Sequence, residues 1–111
     1  RRQALMELAQ LEKGLNDSAR YQQLLPQLSE LIKRTAIVAY GREPVASLNG
    51  AEWLTFLDKT GSTDLFTTGD GQLLVDCSYQ PDTWFTALSQ KQLSGLYKAV
   101  HHWINRHQQK T

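Results

Sequence analysis

Asn49 to Pro81 reads NGAEWLTFLDKTGSTDLFTTGDGQLLVDCSYQP. The fold class turns on whether its second half pairs as strands or coils as helix. Leu65-Phe66-Thr67-Thr68 and Leu73-Leu74-Val75 flank Gly69-Asp70-Gly71, the layout of a short β-hairpin. A lone hairpin is marginal without further support, and no other run in the chain reads as a strand. A loop followed by a helical turn from Asp70 to Cys77 is therefore preferred, with the hairpin as the alternative. Upstream, Asn49 reads as an N-cap with Glu52 at the third helical position. Trp53, Leu54, Phe56 and Leu57 then form a broad apolar face over residues 50–59, and Thr60-Gly61-Ser62 closes the helix. Downstream, Tyr79-Gln80-Pro81 leaves in extended form, because the residue before proline avoids helical dihedrals.

Helical patterns lie on both sides of this stretch. At the N-terminal end, Leu5, Leu8, Leu11 and Leu15 recur at helical spacing, with Ala4, Met6 and Ala9 widening the stripe. Gly14 and Asn16 supply a stop. Asp17 and Ser18 suit the cap of a second helix reaching about Tyr40. Its stripe is Leu24, Leu28, Leu31, Ile32, Thr35, Ala36 and Ala39. Pro26 interrupts it, so the helix either kinks there or starts in earnest near Leu25. Gly41 ends it, Pro44 prevents its continuation, and residues 43–48 allow one further turn. On the C-terminal side, Asp82 or Thr83 opens a short turn carrying Trp84, Phe85 and Leu88. The last helix runs from Ser89 to His107 with a stripe of Leu93, Leu96, Tyr97, Val100, Ile104 and His107. Trp103 falls at its edge, and Gln108 to Thr111 fray. The expected fold is all-α: four to five helices in a single domain over residues 1–111, with a long irregular segment around residues 60–82.

The chain has 111 residues, the length of one domain. Its 41% hydrophobic and 21% charged residues place it among globular rather than disordered chains. The net charge of +1 argues against a nucleic-acid binder, whose affinity rests on excess positive charge. Cys77 is the only cysteine, which excludes a disulfide framework and a zinc site built on several thiolates. No apolar run approaches the ~18–20 residues needed to span a bilayer. The chain opens Arg1-Arg2-Gln3-Ala4-Leu5-Met6 already in helical register and without an initiator methionine. That opening suggests a fragment of a longer protein.

Few residues group into a chemistry. His101, His102 and His107 lie one, five and six apart, so no pair takes the i, i+3 or i, i+4 spacing of a helical metal site. Cys77 beside Leu73, Leu74 and Val75 reads as a small core residue, although a cysteine nucleophile with a histidine base is conceivable. Gly69-Asp70-Gly71 lacks the preceding strand and following lysine of a phosphate loop and reads as two positive-φ positions in a tight turn. Asp58, Asp64, Asp70 and Asp76 recur every six residues, unlike a calcium loop, and suit caps and turns. Trp53, Trp84 and Trp103 are read mostly as core. Lys33, Arg34 and Arg42 cluster near the C-terminus of the second helix, where positive charge suits the helix dipole. They are also the candidate contact patch for an acidic partner or for lipid headgroups. No catalytic, cofactor-binding or metal-binding residue is assigned.

Three strings carry a family resemblance: LIKRTAIVAYGREPVASLNGAEWLTFLD from Leu31, DLFTTGDGQLLVDCSYQP from Asp64, and the terminal WINRH. They include the basic pair Lys33-Arg34, the break after Tyr40, and Val45, Leu48, Gly50, Trp53, Phe56, Leu57 and Asp58. Phe66, Gly69, Gly71, Tyr79, Pro81 and Trp103 complete the pattern. It resembles the bacterial family called domain of unknown function 4381 over nearly the whole chain. The resemblance implies a short single-pass inner-membrane protein whose transmembrane helix precedes Arg1-Arg2. By the positive-inside tendency its domain would face the cytoplasm. It also implies an encoding beside MoxR-type AAA+ ATPases and von Willebrand factor A proteins, and it brings no catalytic residue. The expectation is a non-enzymatic accessory or adaptor protein for such a partner. A small helical nucleic-acid-binding module and a cryptic hydrolase using Cys77 and a histidine are the alternatives.

Overall fold

The structure is a computed structural model that describes residues 2–106. In chain order its helices are α1 (Arg2–Glu12), a 3-10 turn (Ser18–Arg20), α2 (Tyr21–Tyr40), α3 (Arg42–Ala46) and α4 (Ala51–Gly61). After them come α5 (Leu65–Thr68), α6 (Gln72–Asp76), α7 (Asp82–Thr86) and α8 (Gln90–Arg106). Among the described residues there is no strand, and the fold is all-α. Four helices are long, α1, α2, α4 and α8, and the other four are single turns. The segment expected to be irregular holds α5 and α6, and the helical turn preferred over a hairpin is α6.

The chain packs around α2. Leu24, Leu25, Leu28, Leu31, Ile32 and Ala36 recur every three or four residues and are all buried. Against this stripe lie α1, α8, α6 and α7, while α4 packs on α8. One hydrophobic cluster joins residues from every long helix. Pro26 sits inside α2, which starts at Tyr21 rather than near Leu25 and continues through the proline. The proline occupies the second turn, so it removes a single hydrogen bond near an end where partners are already missing. Asp17 accepts a hydrogen bond from the Ala19 amide at 3.1 Å and so closes the 3-10 turn ahead of α2.

Four local expectations need correction. The stripe of α1 is narrower than drawn: Ala4 and Leu8 are buried, whereas Met6 and Ala9 face out. Its main neighbours are α2 and α8. Asn49 is not a side-chain cap. Gly50, at φ 53°, occupies the N-cap position of α4, and the Asn49 carbonyl accepts from the Glu52 amide at 3.1 Å. Gly69 and Gly71 are not at positive φ, their angles being −112° and −58°. Their lack of a side chain serves a close approach instead: a Cβ on Gly71 would stand 2.3 Å from the Phe66 carbonyl oxygen. Finally, Trp103 is fully buried at the centre of the core, not at its edge. His107 and the expected fraying of 108–111 lie outside the described residues, as does Arg1.

Polar groups join the elements where the sequence shows no regular pattern. Asp58, near the end of α4, accepts from the amides of Phe66 at 2.9 Å and Thr67 at 3.0 Å. It therefore caps the start of α5 from another helix, the service Asp64 does not render through its own side chain. Trp103 donates to the Thr60 hydroxyl at 2.8 Å, and His102 Nε2 stands 3.3 Å from the Gly61 carbonyl, so the end of α4 is tied to α8. Ser89 and Gln92 form a reciprocal capping box at the start of α8: each side chain accepts from the other's amide, at 3.1 and 2.9 Å.

Candidate functional site

Lys33, Arg34 and Arg42 line one groove of about 660 Å³. One wall is α2, which presents Pro26, Glu30, Lys33, Arg34, Ile37 and Val38. The opposite wall is Leu74, Val75, Cys77 and Tyr79 of α6 and its exit. The far end is closed by Arg42, Leu48 and Trp53. The geometry follows from helical spacing. Glu30, Lys33, Arg34, Ile37 and Val38 repeat at i, i+3, i+4, i+7 and i+8, so they form a second stripe beside the buried one. The break at Gly41 turns the chain back, which brings Arg42, Leu48 and Trp53 to the same place.

The three basic side chains differ in environment. Lys33 Nζ stands 4.4 Å from the centroid of the Trp53 ring and donates toward the Leu48 carbonyl at 3.5 Å. Partial burial pushes its ammonium pKa below the usual lysine value. The Trp53 face offsets part of that cost through the ring quadrupole. Arg34 makes an ion pair with Glu7 of α1 at 2.9 Å; both are substantially exposed, so the pair adds little stability. Arg42 is exposed. Beneath them Trp53 stacks on Phe56, with ring centroids 5.8 Å apart, and Phe56 meets Tyr40 edge-on at 5.3 Å. At the rim Val38 and Tyr79 are each 79% exposed, the largest exposures among the bulky apolar side chains of the described residues.

Cys77 faces this groove but is 8% exposed. Burial raises its thiol pKa above the ordinary 9.0, aided by the neighbouring Asp76 charge and opposed by hydrogen bonds from Ser78 and its own backbone. A thiol so placed is a weak nucleophile at neutral pH. No histidine lines the groove among the described residues; His101 and His102 line a different hollow with Glu12 and Tyr97. No cluster of three or more histidine, cysteine or acidic side chains is spaced to hold a metal ion among the described residues.

The state of this thiol can be checked directly. At pH 8, Cys77 in the folded chain is expected to react with a disulfide reagent at least about tenfold more slowly than in the urea-unfolded chain. Equal rates would contradict its buried placement. The sign of the pH effect follows from the same shift. The unfolded chain releases the thiol proton first, so the contribution of Cys77 to stability is complete below pH 9.0 and is lost as pH rises through its folded pKa.

The sequence pointed to Lys33, Arg34 and Arg42, and the structure gathers all three. It did not point to Val38, Tyr79 or the Trp53 face as parts of the same surface. Val38 follows Ile37 in an apolar run, and only the rotation of α2 against its neighbours exposes one and half-covers the other. A model of the family called domain of unknown function (DUF4381) matches residues 1–106. The chain belongs to that family. No curated protein and no solved structure matches it.

Proposed function

We propose that this member of the family is a non-enzymatic accessory or adaptor domain that holds or regulates a protein partner through the groove of Lys33, Arg34 and Arg42. A helix preceding Arg1 anchors it at the bacterial inner membrane with the domain on the cytoplasmic side. The partner is a MoxR-type AAA+ ATPase or a von Willebrand factor A protein, as the family resemblance implies. One observation carries the reading: three basic side chains, an aromatic face and two highly exposed apolar side chains share one concave surface. Apolar ground rimmed by polar groups, with aromatic and arginine side chains, is the composition of a protein contact surface. The near-balanced charge of the chain favours a protein over nucleic acid. Among the described residues no helix is long and apolar enough to cross a membrane.

The test is a pull-down of the full-length protein from membranes, with and without ATP, read by mass spectrometry. Recovery of an AAA+ ATPase or a von Willebrand factor A protein is expected. The exposed change Arg42→Glu, combined with Val38→Asp, is expected to reduce that recovery at least about tenfold, as loss of a charge contact and an apolar contact at one interface does. Recovery of neither partner in any nucleotide state refutes the proposal.

A further inference from the structure

The groove is selective in its chemistry as well as its place. Its floor is apolar and aromatic: Ile37, Leu48, Trp53, Leu74 and Val75. Its charged lining is Lys33, Arg34 and Arg42 against the single carboxylate of Glu30 among the described residues. Arg34 is engaged by Glu7, whereas neither Lys33 nor Arg42 has an ion-pair partner among the described residues. An ammonium on an aromatic face, with an exposed guanidinium nearby and an apolar floor between helices, is a surface suited to an anion that carries an apolar neighbour.

We propose that the groove takes an acidic segment of a partner protein, which seats a bulky apolar side chain on Trp53 and Ile37 and sets carboxylates against Lys33 and Arg42. This rests on the adaptor reading and supplies the chemistry of what docks. Two features favour a peptide over a lipid surface. Lys33 lies against Trp53 and the Leu48 carbonyl within a concave groove, a shape that fits a protruding side chain better than a flat bilayer. Glu30 stands on the α2 wall, where it repels a uniformly anionic surface and is avoided by a segment with spaced carboxylates. An arriving carboxylate also favours the charged form of Lys33, against the effect of its partial burial. Val38 and Tyr79 at the rim then cover the apolar anchor from water, as the surround of an interface hot spot does.

The experiment is an NMR titration of the full chain, labelled with 15N, against blocked peptides of about twelve residues. One peptide combines spaced glutamates with a central phenylalanine. In the second every glutamate is glutamine, and in the third the phenylalanine is alanine. Phosphatidylserine vesicles form the fourth arm. The glutamate–phenylalanine peptide is expected to shift the Trp53 indole and Lys33 resonances. It should bind at least about tenfold more tightly than either control peptide, and Arg42→Glu should remove the difference between glutamate and glutamine. Equal binding of the glutamine peptide, equal binding of the alanine peptide, no binding, shifts centred elsewhere, or a larger Trp53 response to vesicles each overturns the proposal. The two readings fail separately. Partner recovery that the Arg42→Glu, Val38→Asp variant reduces, with no peptide discrimination, removes this inference and leaves the adaptor. Peptide discrimination with no partner recovered removes the proposed partners and leaves the groove's chemistry.

Discussion

Trp103→Ala is expected to destabilise the domain by about 3–5 kcal/mol, the range for deleting a fully buried large aromatic side chain. Trp103 is 0% exposed and stands where α8 meets α4. Its removal opens a cavity between two of the long helices and withdraws the donor that bonds the Thr60 hydroxyl at 2.8 Å. The surroundings cannot collapse freely. Gly61 already lies so close that a Cβ there would come within 2.8 Å of the indole, and Ala99 and Val100 are fixed one turn before it on α8. Set against a total of about 5–15 kcal/mol for a small domain, the loss takes away a large share of the stability. Urea unfolding followed by far-ultraviolet circular dichroism measures it. Trp103→Phe separates the two parts: it keeps most of the apolar volume and loses the hydrogen bond, so its cost is expected to be about 1–3 kcal/mol. A cost below about 1 kcal/mol for the alanine variant would contradict a central position in the core.

Gly71→Ala is expected to be destabilising by about 1–3 kcal/mol or more, opposite in sign to the local expectation. Gly71 has φ −58° and ψ −27°, a conformation any residue adopts without strain. On backbone grounds alone, alanine at a compatible position stabilises by about 0.4–1 kcal/mol through the unfolded chain. The tertiary contact reverses this. The new Cβ would meet the Phe66 carbonyl oxygen at 2.3 Å and the Phe66 Cα at 2.6 Å, and both atoms belong to a backbone. Phe66 is itself fully buried and its amide is held by Asp58, so α5 cannot retreat without breaking its cap or lifting its anchor from the core. A thermal melt compares the variants, with Gly50→Ala as the reference. There the cost is a positive φ with nothing within 4 Å of the added carbon, and a smaller loss is expected. A Gly71→Ala variant as stable as the parent would show that the two turns are not packed backbone to backbone.

These two positions mark what a single chain discloses. The apolar stripe of α2, the start of the last helix at Ser89, the stop at Gly41 and the helical turn before Cys77 are local patterns, and each survives in the folded molecule. Local patterns suffice because the spacing of a buried stripe and the pairing of a cap involve residues within four positions of one another. Of the basic cluster, the pair Lys33 and Arg34 and the nearby Arg42 were legible as charges around the end of α2. The opposite wall of the groove was not, since Val75, Cys77 and Tyr79 come to it from some forty residues away.

The sequence by itself determined the helical class and the order of the long helices, because periodicity, caps and breaks act over one or two turns; its motifs, not its periodicity, carry the family to which the chain belongs. Only the tertiary structure decided that Trp103 is central, that Asp58 caps a helix other than its own, and that Gly71 is held by contact rather than by its dihedral angles. It also decided that Val38 and Tyr79 flank one basic groove. The physical reason is common to all four: each depends on how one helix is rotated and seated against another, and side-chain packing sets that across distances in the chain over which spacing carries no signal.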